Sequence, residues 1–306
     1  MKRYIIIIAV CIMPAITFAC DICGSGAGNN YLGILPDFQQ RIVGIRYRYS
    51  SLLTHLGVNG AATHLTTNEK YTTAEIWGSY TIAKGFRVMA SIPYGFNAKH
   101  NAGITDKKTG IGDATVTAFY SLINNRKSSF KNKVIAQSLW LGGGIKLPTG
   151  KYAAADKNGT NESTNLFQLG TGSTDFTLNT MYDLRVQDIG INISSAYKIN
   201  TTNKYDYKYG NKLSLSGQLY YKIKVNSNVT ISPNTGIAYE TAQEDYDNNI
   251  NVNVSGGNIT QATFGAEASF NKIAFGGNYQ TPLQQNLGNG FVKAKARFML
   301  HIAYSF

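Results

Sequence analysis

The chain has 306 residues and a formal charge of +12, from 29 Lys and Arg against 17 Asp and Glu, yet only 15% of its residues are charged. It carries 20 Tyr and 14 Phe against 6 Pro, and after the N-terminal segment no apolar run approaches the roughly 20 residues of a helical span. Helical membrane spans are thereby excluded, whereas few charges, many aromatics and no helical periodicity suit strands with lipid on one side.

At the start, Lys2 and Arg3 followed by an apolar run over 4–16 and the exit Thr17-Phe18-Ala19 predict a secretory signal over 1–19. That run is too short for a spanning helix and is interrupted by Pro14. Export argues against a nucleic-acid partner despite the basic balance, and points to anionic lipid headgroups or small anionic solutes. Residues 20–37 are predicted as a periplasmic lead-in and 38–306 as a single barrel domain. The lead-in holds Cys20 and Cys23, which no other cysteine remains to pair once the signal is cleaved. Lipid attachment at Cys20, a disulfide in the oxidising periplasm and a soft metal such as Cu(I) all stay open for the pair. Gly24 stands where a haem-attachment motif requires His.

From residue 43 the chain alternates with period two, the signature of a strand with two unlike faces. Val43, Ile45, Tyr47 and Tyr49 oppose Gly44, Arg46 and Arg48. The same split recurs near 74–80, 86–94, 114–122, 139–146, 176–183, 189–198, 213–222, 229–239, 262–270 and 273–279, with Pro233 predicted to mark a bulge. The last segment is the longest. Val292, Ala294, Ala296, Phe298, Leu300, Ile302, Tyr304 and Phe306 are predicted to face lipid, and Lys293, Lys295, Arg297, Met299 and His301 the lumen. Its terminal Phe306 resembles the signal that outer-membrane barrels present to their assembly machinery.

The expected fold is therefore all-β, a transmembrane antiparallel barrel of about twelve strands, with ten or fourteen as alternatives. Connections near 51–67, 98–110, 148–173, 200–210, 241–257 and 282–290 are long and polar. Those near 83–85, 123–131, 185–188, 224–227 and 271–272 are short. This alternation implies long loops outside and both termini in the periplasm.

Four segments carry a family resemblance. They are Gly110-Ile111-Gly112-Asp113, then Gly144-Ile145-Lys146-Leu147-Pro148-Thr149-Gly150, then Gly170-Thr171-Gly172-Ser173-Thr174-Asp175, and last Tyr279-Gln280-Thr281-Pro282-Leu283. In this order and spacing they resemble the outer-membrane barrels named for the meta-pathway of phenol degradation, over residues 38 to 306. The resemblance implies passage of small, often apolar, compounds across the outer membrane. The motif residues Gly112, Asp113, Pro148, Thr149, Gly150, Ser173, Asp175 and Pro282 either shape the barrel rim or touch the solute. The Cys20–Cys23 segment departs from the family pattern.

Parity places Arg46, Arg48, Arg87, Lys146, Lys198, Lys212, Lys222, Lys293, Lys295 and Arg297 in the lumen, with Glu75, Asp113, Asp175, Asp183 and Glu267. An open pore so lined should favour anions, whereas a filled one would hold the same charges as an ion-pair network. Lys293, Lys295 and Arg297 together predict a basic wall for solute contact, beside His301. Chemistry is poorly supported. Of His55, His64, His100 and His301 only the last is on a strand and inward, with Ser305 too far to be activated by it. The three loop imidazoles match no compact metal-ligand spacing. No enzyme activity and no cofactor are expected. Passive or facilitated passage of small apolar or anionic solutes is the first expectation. The alternative is a plugged barrel acting as a binding or assembly protein, with Cys20–Cys23 contacting a metal or periplasmic partner.

Overall fold

The computed structural model describes residues 41–129, 133–156 and 165–306. The predicted signal and Cys20 and Cys23 lie outside them. Twelve long strands form the wall: β1 (Ile42–Thr54), β2 (Thr67–Ala83), β3 (Phe86–Asn101), β4 (Thr115–Ser129), β5 (Lys133–Lys146), β6 (Asp175–Val186), β7 (Ile189–Ile199), β8 (Lys212–Tyr221), β9 (Val229–Ala242), β10 (Gly257–Phe270), β11 (Ile273–Leu287) and β12 (Arg297–Ser305). Each pairs antiparallel with the next, and β12 returns to β1 from Ile42↔Ser305 to Tyr49↔Phe298. The sheet thus has no edge, which matters because an unpaired backbone group in hydrocarbon costs several kcal/mol.

All twelve alternating segments of the sequence are strands of this wall. Val43, Ile45, Ile76, Ile92, Tyr120, Leu178, Ile193, Leu219, Ile237, Phe264, Phe275, Leu300 and Ile302 project outward and are exposed, forming an apolar belt. Among the described residues no helix is long and apolar enough to cross a membrane.

One end of the barrel carries tight turns such as Lys84–Gly85 and Asn271–Lys272, where Gly85 (φ +77°) and Asn271 (φ +50°) take the left-handed conformation that two-residue hairpins need. The other end carries the long loops. The connection expected at 98–110 is not a loop: β3 runs on to Asn101 and folds back through the strand Ile104–Ile111 as a projecting hairpin. Likewise β11 continues to Leu287, well into the predicted last loop. Above the mouth, the short strands Tyr207–Lys208, Asp245–Asp247 and Ile250–Val252 form a separate three-stranded cap.

Two register details depart from simple alternation. Pro233 causes no bulge: pairing keeps one register from Tyr220↔Asn234 to Ile223↔Ile231, and the ladder only skips a step. A shift does occur before β12. Tyr49 pairs with Phe298, but Leu52 pairs with Ala294, so one extra residue is accommodated near Lys295. A one-residue slip turns every following side chain to the opposite face. Val292 and Ala294, predicted outward, are therefore buried, and Lys293 and Lys295, predicted inward, are exposed on the outside. The predicted basic wall does not exist.

Candidate functional site

The lumen is filled in three tiers. Near the short-turn end, Ile42, Trp77, Phe119, Trp140, Met181 and Ala303 form a buried apolar layer with Met89 packed on it. The Trp77 indole fits because Gly44 stands opposite it on β1, where a Cβ would lie 3.0 Å from Nε1.

Above this layer runs an ionic belt. Glu267, Gly276, His301, Arg46 and Glu75 follow one another across adjacent strands. Arg48 reaches Glu75 at 2.9 Å, Arg46 at 3.6 Å, and His301 Nε2 lies 3.1 Å from Glu267. Lys212 meets Glu240 at 2.9 Å, and Arg297 binds Glu240 and Gln261. Arg87 is buried on the same inward face, 1% exposed. Between belt and apolar layer remains a cavity of about 20 Å³, enough for roughly one water. The expected basic excess is thus corrected in two ways: Lys293 and Lys295 lie outside, and most inward cations have acidic partners. Lys222 is half-buried at the short-turn rim, its ammonium 5.8 Å from the ring of the buried Tyr220.

The third tier closes the long-loop mouth. Residues 165–169 of the loop between β5 and β6 turn inward, seating Leu166 with Leu52, Tyr71, Ile259, Leu287, Val292 and Ala294, with Phe167 packed against them. The loop backbone is held from the wall. Lys108 donates to the Phe167 carbonyl, Asn97 to that of Gln168 at 3.4 Å and Tyr209 to that of Asn165 at 3.0 Å.

Most of the motif residues converge on the base of this loop. Asp113 accepts from Gly150 N (2.9 Å), Thr171 N (2.9 Å), Thr171 Oγ1 (3.1 Å) and Lys146 Nζ (2.6 Å). Lys146 also donates to Thr171 Oγ1 and to the Ser173 carbonyl, and pairs with Asp175 at 3.0 Å. Ser173 Oγ donates to Asp175 at 2.8 Å, and Lys198 pairs with it at 3.3 Å. Thr149 Oγ1 donates to the Gly112 carbonyl and accepts from Ala114 N, each at 2.8 Å. Gly150 must be glycine because a Cβ there would stand 2.8 Å from Gly170 Cα and 2.9 Å from Gly112 C. The three segments are a clasp that pins both ends of one loop. Pro148 is exposed at the exit of β5, and Pro282 lies elsewhere, opposite Gln261 where Leu283 bulges out of β11.

The loop histidines do not converge: His55 hydrogen-bonds Thr54 (3.1 Å), His100 bonds Thr105 (2.9 Å) and His64 is exposed. Among the described residues no three His, Cys, Asp or Glu are grouped to hold a metal. Several important groups gave weaker signals in the sequence. Glu240 sits one inward step beyond the alternation recognised in β9, and Leu166-Phe167 is an apolar pair inside a polar loop.

Asp245, in the cap, is wholly buried and accepts from Tyr207 Oη at 2.5 Å and Gly210 N at 2.8 Å. Burial outweighs these bonds and the attraction of Lys198, and with Glu244 nearby it pushes the carboxyl from 3.8 up to about 7. The folded cap therefore holds a proton that the unfolded chain has lost between these values. Its contribution is complete below about pH 4 and lost as pH rises through about 7. Hydrogen exchange at Tyr207–Lys208 and Asp245–Asp247, corrected for intrinsic rate, should accelerate at least about tenfold from pH 5 to pH 8. Asp245→Asn should remove that acceleration; an equal acceleration in the variant would contradict the assignment.

With this geometry in view, the comparisons are informative about fold. An outer membrane channel from Pseudomonas putida F1 matches with a TM-score of 0.57 at 13% identity, over 90% of this chain and 100% of that one. This chain has the fold of an outer-membrane β-barrel. The β-domain of the Bordetella autotransporter BrkA gives a TM-score of 0.47 at 10% identity, over 87% of this chain and 100% of its own. A FadL homologue from Pseudomonas aeruginosa gives 0.42 at 11%, over 95% and 100%. No protein-family model matches the sequence, and no curated protein is significantly similar to it.

Proposed function

We propose that this protein lies in the bacterial outer membrane, long loops outermost and termini periplasmic, and passes small neutral apolar or aromatic solutes through a lumen that loop 147–174 occludes at rest. The observation that carries this reading is the seating of Leu166 and Phe167 in an apolar mouth. A hydrophobic constriction excludes ions by dewetting, whereas a neutral aromatic solute can replace the Leu166 and Phe167 contacts one for one. The charges below the mouth are largely paired, which weakens the expected preference for anions. The meta-pathway resemblance and the fold shared with a Pseudomonas channel agree with passage of small compounds. Assembly through the β12 strand ending in Phe306, exposed at the rim, belongs to the same proposal.

The test is flux into proteoliposomes of two aromatic solutes of equal size, one neutral and one carboxylated. The neutral solute should enter measurably faster than into protein-free vesicles, and the anion should not. Preferential entry of the anion would overturn the proposed solute class. Replacing Cys20 and Cys23 by Ser should leave this flux unchanged; a loss would favour the alternative, a binding role centred on those cysteines.

A further inference from the structure

The register shift before β12 builds an outer face that nothing inside the barrel uses. Lys295 N donates to Ser51 O at 2.9 Å, Ser51 pairs with Lys70, Lys70 with Ala98, and Ala98 with Lys107. Exposed Lys295, Lys70 and Lys107 therefore stand in one cross-strand row at every second strand, about 10 Å apart. Lys293 is exposed in the next row outward, opposite Leu53. None of the four makes an ion pair among the described residues.

What lies beneath sets their depth. Two residues down the strands the row contains Phe298, Tyr49 and Phe96, with Tyr49 stacked on Phe298 at 5.3 Å between centroids. The row below that contains Leu300, Tyr47, Tyr94 and Ile111. Aromatic girdles sit at the headgroup boundary, so a lysine row about 7 Å farther out reaches the lipid phosphates. Elsewhere on the long-loop rim, the cross-strand row Tyr197, Leu213, Thr241, Asn258 and Asn286 carries no charge.

We propose that the face carrying Lys70, Lys107, Lys293 and Lys295 binds the phosphate groups of an anionic glycolipid in the leaflet at the long-loop end. Ammonium groups spread across a flat face above aromatic rings suit a lipid with several phosphates and acyl chains below. A free small anion needs donors that converge, and these do not. The single extra residue near Lys295 supplies half of the face by turning Lys293 and Lys295 out of the lumen. The proposal rests on the outer-membrane orientation given above.

The test is native mass spectrometry of the full-length barrel in neutral detergent, with bis-phosphorylated lipid A and its dephosphorylated form as probes. The wild type should retain the phosphorylated lipid at least about tenfold better than the other. The variant K70Q/K107Q/K293Q/K295Q should lose that preference, and the matching Lys→Arg variant should keep it. If the quadruple variant does not fold, judged by its heat-modifiable mobility, K293Q/K295Q carries the test with the same sign. Equal retention of both lipids, undiminished binding by the Gln variant, or displacement by inorganic phosphate would each overturn the site. Binding in micelles does not depend on orientation in the cell. Loss of lipid therefore condemns the site alone, whereas protease access to the long loops from the periplasm would condemn the orientation.

Discussion

Asp113→Ala should release loop 147–174 while the barrel itself stays folded. The carboxylate is 7% exposed and gathers Gly150 N, Thr171 N and Oγ1, and Lys146 Nζ. Its removal strands two backbone N–H groups and takes from Lys146 one of its two acidic partners, the other being Asp175 at 3.0 Å. Breaking a buried pair from one side costs about 3–5 kcal/mol. Even the lower figure raises the released population roughly a hundredfold, at a factor of ten per 1.4 kcal/mol. Because Gly170 N donates to the Lys151 carbonyl at 3.2 Å, release should expose that bond to trypsin. Cleavage after Lys151 should therefore quicken by about a hundredfold or more, with no change in the barrel's heat-modifiable mobility. Lys146→Met should act in the same direction, and the double variant should cost less than the two effects summed, because both remove the same contact. An unchanged cleavage rate in Asp113→Ala would show that the clasp does not hold the loop.

Ile302→Arg should prevent assembly. Ile302 lies on the outer face of the closing strand between Ile45 and Phe275, both exposed in the apolar belt. A cationic side chain at such a lipid-facing position costs about 2–4 kcal/mol near the midplane. The penalty falls on the β12–β1 seam, whose failure leaves two open edges in hydrocarbon. Lys295→Leu makes the complementary test: simple alternation would place it in the lumen, whereas the register shift places it on the outer rim. It should assemble normally. Heat-modifiable mobility after refolding into vesicles measures both, and normal yield of Ile302→Arg would contradict the assigned face.

These two variants also mark how far the sequence could be read. The wall was legible because period-two alternation is a local signal repeated in every strand, from Val43–Tyr49 to Phe298–Phe306. The face of Lys293 and Lys295 was not, because one extra residue inverts parity without altering the pattern on either side of it. The clasp residues were legible as motif segments only through a resemblance. That Asp113, Lys146, Gly150, Thr171 and Asp175 meet depends on the 112–114 connection and both ends of loop 147–174 converging at the rim, with Gly112, Gly150 and Gly170 in backbone contact. Pairing of the inward charges was equally hidden. Glu240 and Glu267 reach Arg297 and His301 across a closed sheet whose curvature no local pattern encodes.

The most direct test of the occluded lumen is single-channel recording of the wild type beside Leu166→Ser/Phe167→Ser in planar bilayers. Burying a Leu or Phe side chain stabilises by about 1.5–3 kcal/mol, so the double variant should raise open probability at least about tenfold. The wild type should show only rare, brief openings. Steady ohmic current from the wild type, unaltered by the two substitutions, would contradict the account.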